Sequence, residues 1–252
     1  MHILISNDDG YEAPGLSVLA KALSEQHHTI SVVAPRVNMS GCGMGISLRK
    51  SIAVEQLETN KFVVDGTPAD CVYLGLHSLL SEPVDMVISG INNGANLADD
   101  ILYSGTFAAA MEARRLEVPS IALSMSEYAT QAYATAAYIA GQMVNNIDQL
   151  EYQALLAVLN VNVPEVSVSQ LRGLKATVLG VRGDPAAPIQ ESVKGKKFEY
   201  RLAGAGNFLP RQHRVVQDFE AIEQGYASIT PLSAQFDDHA YVEDVQQWLN
   251  NL

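Results

Sequence analysis

Short apolar runs alternate with segments of helical period over the first 165 residues of this chain, and that alternation constrains its fold most. Ile3–Ser6 is an apolar run ending at Asn7-Asp8-Asp9-Gly10. Leu16–Glu25 then places Leu16, Leu19, Ala20 and Leu23 on one helical face. Further runs at Thr29–Ala34, Lys61–Val64, Val84–Ser89, Ser120–Ser124 and Ala154–Val163 read as strands. Pro35, Gly90 and Pro164 mark the ends of three of them. Between them, Ala69–Leu80, Thr106–Arg115 and about Thr130–Ile147 read as helices. Repeated strand–helix–strand units predict an α/β fold of Rossmann-like type, a mostly parallel sheet flanked by helices.

The alternation lapses after residue 165. Thr177–Val181 is expected to be a strand, and Tyr226–Thr230 another, closed by Pro231. Residues 183–206 are rich in Gly, Pro and charge, with Phe198–Leu202 as a hairpin strand. Val242–Leu252 is expected to be a terminal helix with Val242, Val245, Trp248 and Leu249 on its apolar face. The expected organisation is one domain over residues 1–252, with about 180–252 as an extension of hairpin and terminal helix. The chain is 48% hydrophobic and 17% charged, which supports a sizeable core and argues against disorder. A net charge of −12 argues against a nucleic acid duplex or an anionic membrane as partner. The first residues lack the basic and long apolar regions of a secretion signal, so the cytoplasm is the expected compartment. Cys42 and Cys71 form no metal-binding pair, and Cys71 reads as a buried structural thiol. The six histidines show no ligand spacing, and His27-His28 should end a helix at the surface. Met39, Met44 and Met111 read as packing residues.

In open parallel sheets, ligands bind beyond the carboxyl ends of the strands. Polar clusters fall at such ends: Asn7–Gly10, Asn38-Met39-Ser40-Gly41 and Ser89–Asn96. They are expected to converge on one crevice. Asp8 and Asp9 are adjacent carboxylates whose charges repel unless a proton or cation intervenes. A hard divalent cation suits such oxygen ligands, and Ser40 and Asn92 add neutral ones. The Gly- and Asn-rich Ser89–Asn96 loop suits close approach of an anion. Ser104-Gly105-Thr106 opens an Ala-rich helix whose free N–H groups suit phosphate, while an ordinary helix cap explains the same residues. The sequence has no nucleophile elbow, no Walker lysine and no dinucleotide fingerprint.

Taken together, these stretches resemble the SurE family, the stationary-phase survival nucleotidases. The resemblance is carried by Ile5–Gly10 with Ala13-Pro14-Gly15, by Asp65–Val72, and by Ser89–Asp100 running on through Tyr103–Thr106 to Ala108–Glu112. Leu159-Asn160-Val161-Asn162-Val163-Pro164 and Ser228–Leu232 extend it along nearly the whole chain. It implies a 5′-nucleotidase that releases phosphate from nucleoside 5′-monophosphates, and also from 3′-monophosphates, with some polyphosphate activity. It implies one divalent cation, Mg²⁺ or Mn²⁺, with Ca²⁺ as a crystal substitute, held by Asp8, Asp9, Ser40 and Asn92. Asn96, Ser104, Gly105 and Thr106 would hold the phosphate, and Asp8, Asp9 and Asn96 would be catalytic. Family members commonly assemble through C-terminal segments, so a homodimer or homotetramer is expected. The chain departs from the pattern at Val37 and Met39, where basic residues are usual, and at Glu199-Tyr200-Arg201, where an aromatic pair is usual. The alternative from another class is a noncatalytic nucleotide-binding sensor. It would need the phosphate loop but not the metal ligands.

Overall fold

A computed structural model of the chain describes residues 1–127, 132–150, 158–210, 214–234 and 241–250. The strands are β1 (His2–Ser6), β2 (Thr29–Pro35), β3 (Val54–Glu58), β4 (Lys61–Val64), β5 (Met86–Asn92), β6 (Ile121–Met125), β7 (Val158–Val163), β8 (Leu174–Ala176), β9 (Ile189–Lys194), β10 (Lys197–Arg201) and β11 (Ala227–Leu232). The helices are α1 (Pro14–Ser24), α2 (Pro68–Leu74), α3 (Gly105–Glu112), α4 (Tyr133–Asn145), α5 (Asp218–Glu223) and α6 (Val242–Leu249). Among the described residues the main sheet has nine strands in the order β3-β4-β2-β1-β5-β6-β7-β11-β8. From β4 to β7 every pairing is parallel, while β3 and β11 run antiparallel to β4 and β7.

The central strands are buried on both faces, which is why their sequences are continuously apolar. On β1, Ile3 and Ile5 pack with Leu16, Leu19 and Leu23 of α1 and Ile139 of α4. Leu4, between them, packs with Val33, Cys71, Val72 and Ala109 on the α2–α3 side. One residue of register thus decides which helical layer a side chain meets. The expected α/β class and its layering are what the structure has.

Several local expectations need correction. The strand expected at Thr177–Val181 is displaced: the residues that pair with β11 are Leu174–Ala176. Val178 instead exchanges backbone bonds with Val216 and Asp218, which turns the chain away from the sheet. β2 does end at Pro35, but Pro231 does not stop β11, which runs on to Leu232, and β5 continues through Gly90 to Asn92. Pro231 lies past the residues that β8 pairs, where a missing N–H is tolerated. The helix expected over Ala69–Leu80 changes from α2 to a π-helical turn at Gly75–Leu79. β3 and α5 had no counterpart in the sequence reading. Met44 is exposed rather than packed. Residues 130–131, 154–157 and 251–252 of the expected helices and strand lie outside the described residues. The β9–β10 hairpin forms its own sheet, whereas β11 joins the main one.

Candidate active site

The three polar clusters do meet, at the carboxyl ends of β1, β2 and β5. Asn7 Nδ2 donates to Gly10 O at 2.8 Å and closes the turn that carries the two aspartates. Met39 N–H donates to Asp8 O at 2.7 Å, drawing the loop after β2 onto that turn. Asn38 joins both parts: its Nδ2 donates to Asp9 Oδ1 at 3.3 Å and its Oδ1 accepts from Ser40 N–H at 2.8 Å. From β5, Asn93 N–H donates to Asp9 Oδ2 at 2.9 Å. Asn92 Nδ2 is spent on Gly94 O at 2.8 Å, which leaves its carbonyl oxygen as the group to offer a ligand. Ser40 is exposed at the mouth.

A fourth element completes the crevice. The start of α3 abuts Asp8, and a Cβ added at Gly105 would lie 2.7 Å from Asp8 Cβ and 3.0 Å from Cys42 Sγ. Only glycine lets the helix begin that close. Ser104 caps α3 by accepting from Phe107 N–H at 3.0 Å, so the cap reading of Ser104 holds. Thr106 is fully buried and its hydroxyl donates to Asp8 Oδ1 at 2.5 Å. That hydroxyl therefore orients a carboxylate, and the Thr106 N–H bonds the same group, which leaves the Gly105 N–H at the start of α3 for an anion.

Burial dominates the electrostatics of both aspartates. Burial pushes the Asp8 carboxyl above its ordinary value, against the Thr106 hydroxyl bond, and the neighbouring Asp9 charge adds to the rise. Burial likewise raises Asp9, opposed by the Asn93 N–H. Among the described residues no basic side chain stands among the causes acting on either group. Arg36, in the loop after β2, is committed to Asp65 at 2.6 Å and Glu55 at 3.0 Å. Val37, at a position where a basic residue was expected, is 60% exposed. Burial first, then the charges of Asp9 and Glu165, raises the phenol of Tyr133. Among the described residues no group of three or more His, Cys, Asp or Glu side chains could hold a metal. A cation here would rest on the two aspartates and on neutral oxygens, the donor set that suits a hard divalent ion.

Asn96 stands on the other side of the Gly/Asn loop. Its N–H donates to Asn162 Oδ1 at 2.8 Å, and its carbonyl accepts from Asn160 Nδ2 at 2.8 Å and Asn162 Nδ2 at 3.0 Å. Its side-chain Nδ2 donates to Ser124 Oγ at 2.7 Å. No hydrogen bond among the described residues joins Asn96 to either aspartate. Asn38 and Asn93 lay in clusters expected at the crevice but were given no role there, and Cys42 and Tyr133 were not placed in it. Asn160 and Asn162 carried a visible signal: two amides at period two in an otherwise apolar strand.

Comparison with known proteins gives concordant results. The family described as "Survival protein SurE" matches residues 3–184. The 5′-nucleotidase SurE of Legionella pneumophila subsp. pneumophila (strain Philadelphia 1) is 43% identical over 254 residues, covering 100% of this chain and 98% of the relative. That of Ruthia magnifica is 40% identical over 255 residues, covering 100% of both. The crystal structure of the SurE protein from Aquifex aeolicus superposes with a TM-score of 0.84 at 32% identity, covering 99% of this chain and 100% of that one.

Proposed function

The chain belongs to the SurE family, and we propose that it is a cation-dependent phosphatase, a 5′-nucleotidase that hydrolyses nucleoside 5′-monophosphates and also accepts 3′-monophosphates. One observation carries this reading. Two desolvated carboxylates lie side by side, with no basic side chain among the described residues acting on them, against the N-terminus of α3. Asp8, Asp9, Ser40 and Asn92 would hold one Mg²⁺ or Mn²⁺, which when bound supplies charge neutralisation and polarisation of a phosphoryl oxygen.

The chain's own groups do the rest. Thr106 holds one oxygen of Asp8, so that carboxylate enters the site already oriented. Asn38 and the Asn93 N–H do the same for Asp9. The Gly105 N–H at the start of α3 would face the negative charge of a phosphoryl group, with Ser104 and the Asn96 amide at its flanks. Their donors are fixed before substrate arrives, which is what stabilises charge spread over equatorial oxygens. The partner is thus a small nucleotide, in the cytoplasm. No helix among the described residues is long and apolar enough to cross a membrane. The exposed hairpin and α6 support assembly as a homodimer or homotetramer.

Phosphate release from nucleoside 5′- and 3′-monophosphates, before and after chelation, is the test. Release should stop with chelator and return with Mn²⁺ or Mg²⁺. Nucleotide binding without turnover under any of these conditions would sink the phosphatase and leave the sensor.

A further inference from the structure

Strand β7 carries two fully buried asparagines, Asn160 and Asn162, in a run that is otherwise Val and Leu. Residues two apart on a strand share a face, and so do residues directly opposite across a ladder. Asn162 is opposite Ser124 of β6 on one side and Ser228 of β11 on the other. Ser124 is in turn opposite Asn92 of β5. A polar row therefore crosses four strands and reaches the crevice at Asn92.

Burying primary amides in a sheet is unfavourable unless they are bonded. Asn162 spends both ends of its amide on the backbone of Asn96, accepting from the N–H and donating to the carbonyl. Asn160 donates to that same carbonyl. Two residues on, Ala98 takes a left-handed φ of 52° and donates its N–H to Asp218 at 2.8 Å. The loop that leads from Asn92 to Asn96 includes Gly94 at φ 141°, and glycine restrains its backbone least of all residues. Rigidity has to be supplied from outside the loop, and the asparagines of β7 supply it at its centre.

We propose that Asn162, with Asn160 behind it, is a positioning residue: it fixes the peptide of Asn96 while Ser124 takes one Nδ2 hydrogen, so that the other is set toward the transferred phosphoryl group. This rests on the phosphatase reading above. Asn162→Asp keeps the acceptor for the Asn96 N–H but sets an oxygen against the Asn96 carbonyl. Expected in the full-length enzyme is a fall in kcat/KM, up to about 100-fold, the scale of a small misplacement of a reacting partner. Competitive inhibition by inorganic phosphate should weaken in parallel. The melting temperature should fall, because the buried oxygen–oxygen clash is destabilising, while Mn²⁺ affinity by calorimetry should stay near wild type. An active wild type with Asn162→Asp equal to it in kcat/KM and phosphate inhibition overturns the inference. So does a variant whose metal affinity falls along with its activity, which is what a merely structural role would give. If Asn162→Asp does not fold, Asn160→Ala is judged by the same readouts. A wild type that releases no phosphate is a different failure, since it sinks the phosphatase reading itself.

Discussion

The crevice and the C-terminal hairpin with α6 answer the same question in opposite ways. In the crevice, Asp8, Asn96, Ser104 and Thr106 are all buried, and the polar contacts that hold them come from the same chain. In the hairpin, β10 is exposed at every position, and α6 buries none of its residues while showing Val242, Val245, Trp248 and Leu249 to solvent. An apolar helix face without cover is unusual in a finished surface and marks an interaction site. The difference sets a crevice held together by contacts among the described residues against a surface that the proposed assembly would cover.

The largest effect should come from breaking the crevice at its charge. Asp9→Asn keeps shape and most hydrogen bonding but removes one negative charge from the proposed cation site. Turnover should drop by more than about 100-fold, since losing even an outer-shell partner of a ligand costs 10–100-fold. Because burial holds the Asp9 carboxyl above its ordinary value, its ionised form is penalised in the fold. The chelated variant should therefore melt no lower than chelated wild type. Equal turnover and equal metal affinity in the two proteins would remove Asp9 from the site.

Thr106→Val comes next, and it sharpens the reading of the α3 start. The hydroxyl donates to Asp8, so its loss should weaken Mn²⁺ binding by about 10–100-fold, the usual cost of an outer-shell partner. Calorimetry with Mn²⁺ and inhibition by inorganic phosphate separate the two possible roles. Unchanged metal affinity with weakened phosphate inhibition would return the hydroxyl to the phosphate.

Thr106 also shows what a sequence displays and what it withholds. That it opens a helix beside the strand-end loops was legible, because caps, turns and apolar periods are local. That its hydroxyl points at Asp8, ninety-eight positions away, depends on how closely α3 packs, which only Gly105 in its folded setting reveals. β3 was illegible for a related reason: Val54–Glu58 is exposed throughout at a sheet edge, so burial imposes no apolar pattern on it. The Thr177–Val181 run had the composition of a strand, yet its neighbours took it away from β11. The asparagines of β7 were visible as a motif, but their partner at Asn96 is set by register between strands.

Asp218→Asn tests the link between the two regions, since Asp218 lies in the C-terminal part and holds the crevice loop at Ala98. Its carboxylate is fully buried and accepts from Ala98, Gly180 and Phe219 N–H at 2.8, 2.9 and 2.8 Å. An asparagine would turn a donor toward one of these, leaving a buried clash that costs about 1–3 kcal/mol. Burial raises the folded-state carboxyl above 3.8, with the N–H bonds opposing. The folded protein thus holds the Asp218 proton to higher pH than the unfolded chain. Stability from this group is greatest below 3.8 and declines as pH rises through the raised value. Urea unfolding across that window should show the deficit of Asp218→Asn shrinking as pH rises. A deficit that grows with pH would contradict the direction of the shift.

Trp248→Ala should have the smallest effect on folding and the clearest one on assembly. The indole is 60% exposed on a helix that buries nothing, so its loss should change unfolding free energy by no more than about 0.5 kcal/mol, as for an ordinary surface site. At an interface the same ring would be an anchor, because large aromatic side chains dominate such contacts. Light scattering on the full-length protein should therefore report a homodimer or larger, and Trp248→Ala should shift it toward monomer at micromolar concentration with the melting curve nearly unmoved. Deleting residues 233–252 should do the same more completely. If both altered proteins keep the wild-type mass, α6 is not the contact and the exposed β9–β10 hairpin, with Phe198 and Tyr200 outward, takes its place. If the wild type itself is a monomer, the contrast between a finished crevice and an unfinished surface fails at its second half.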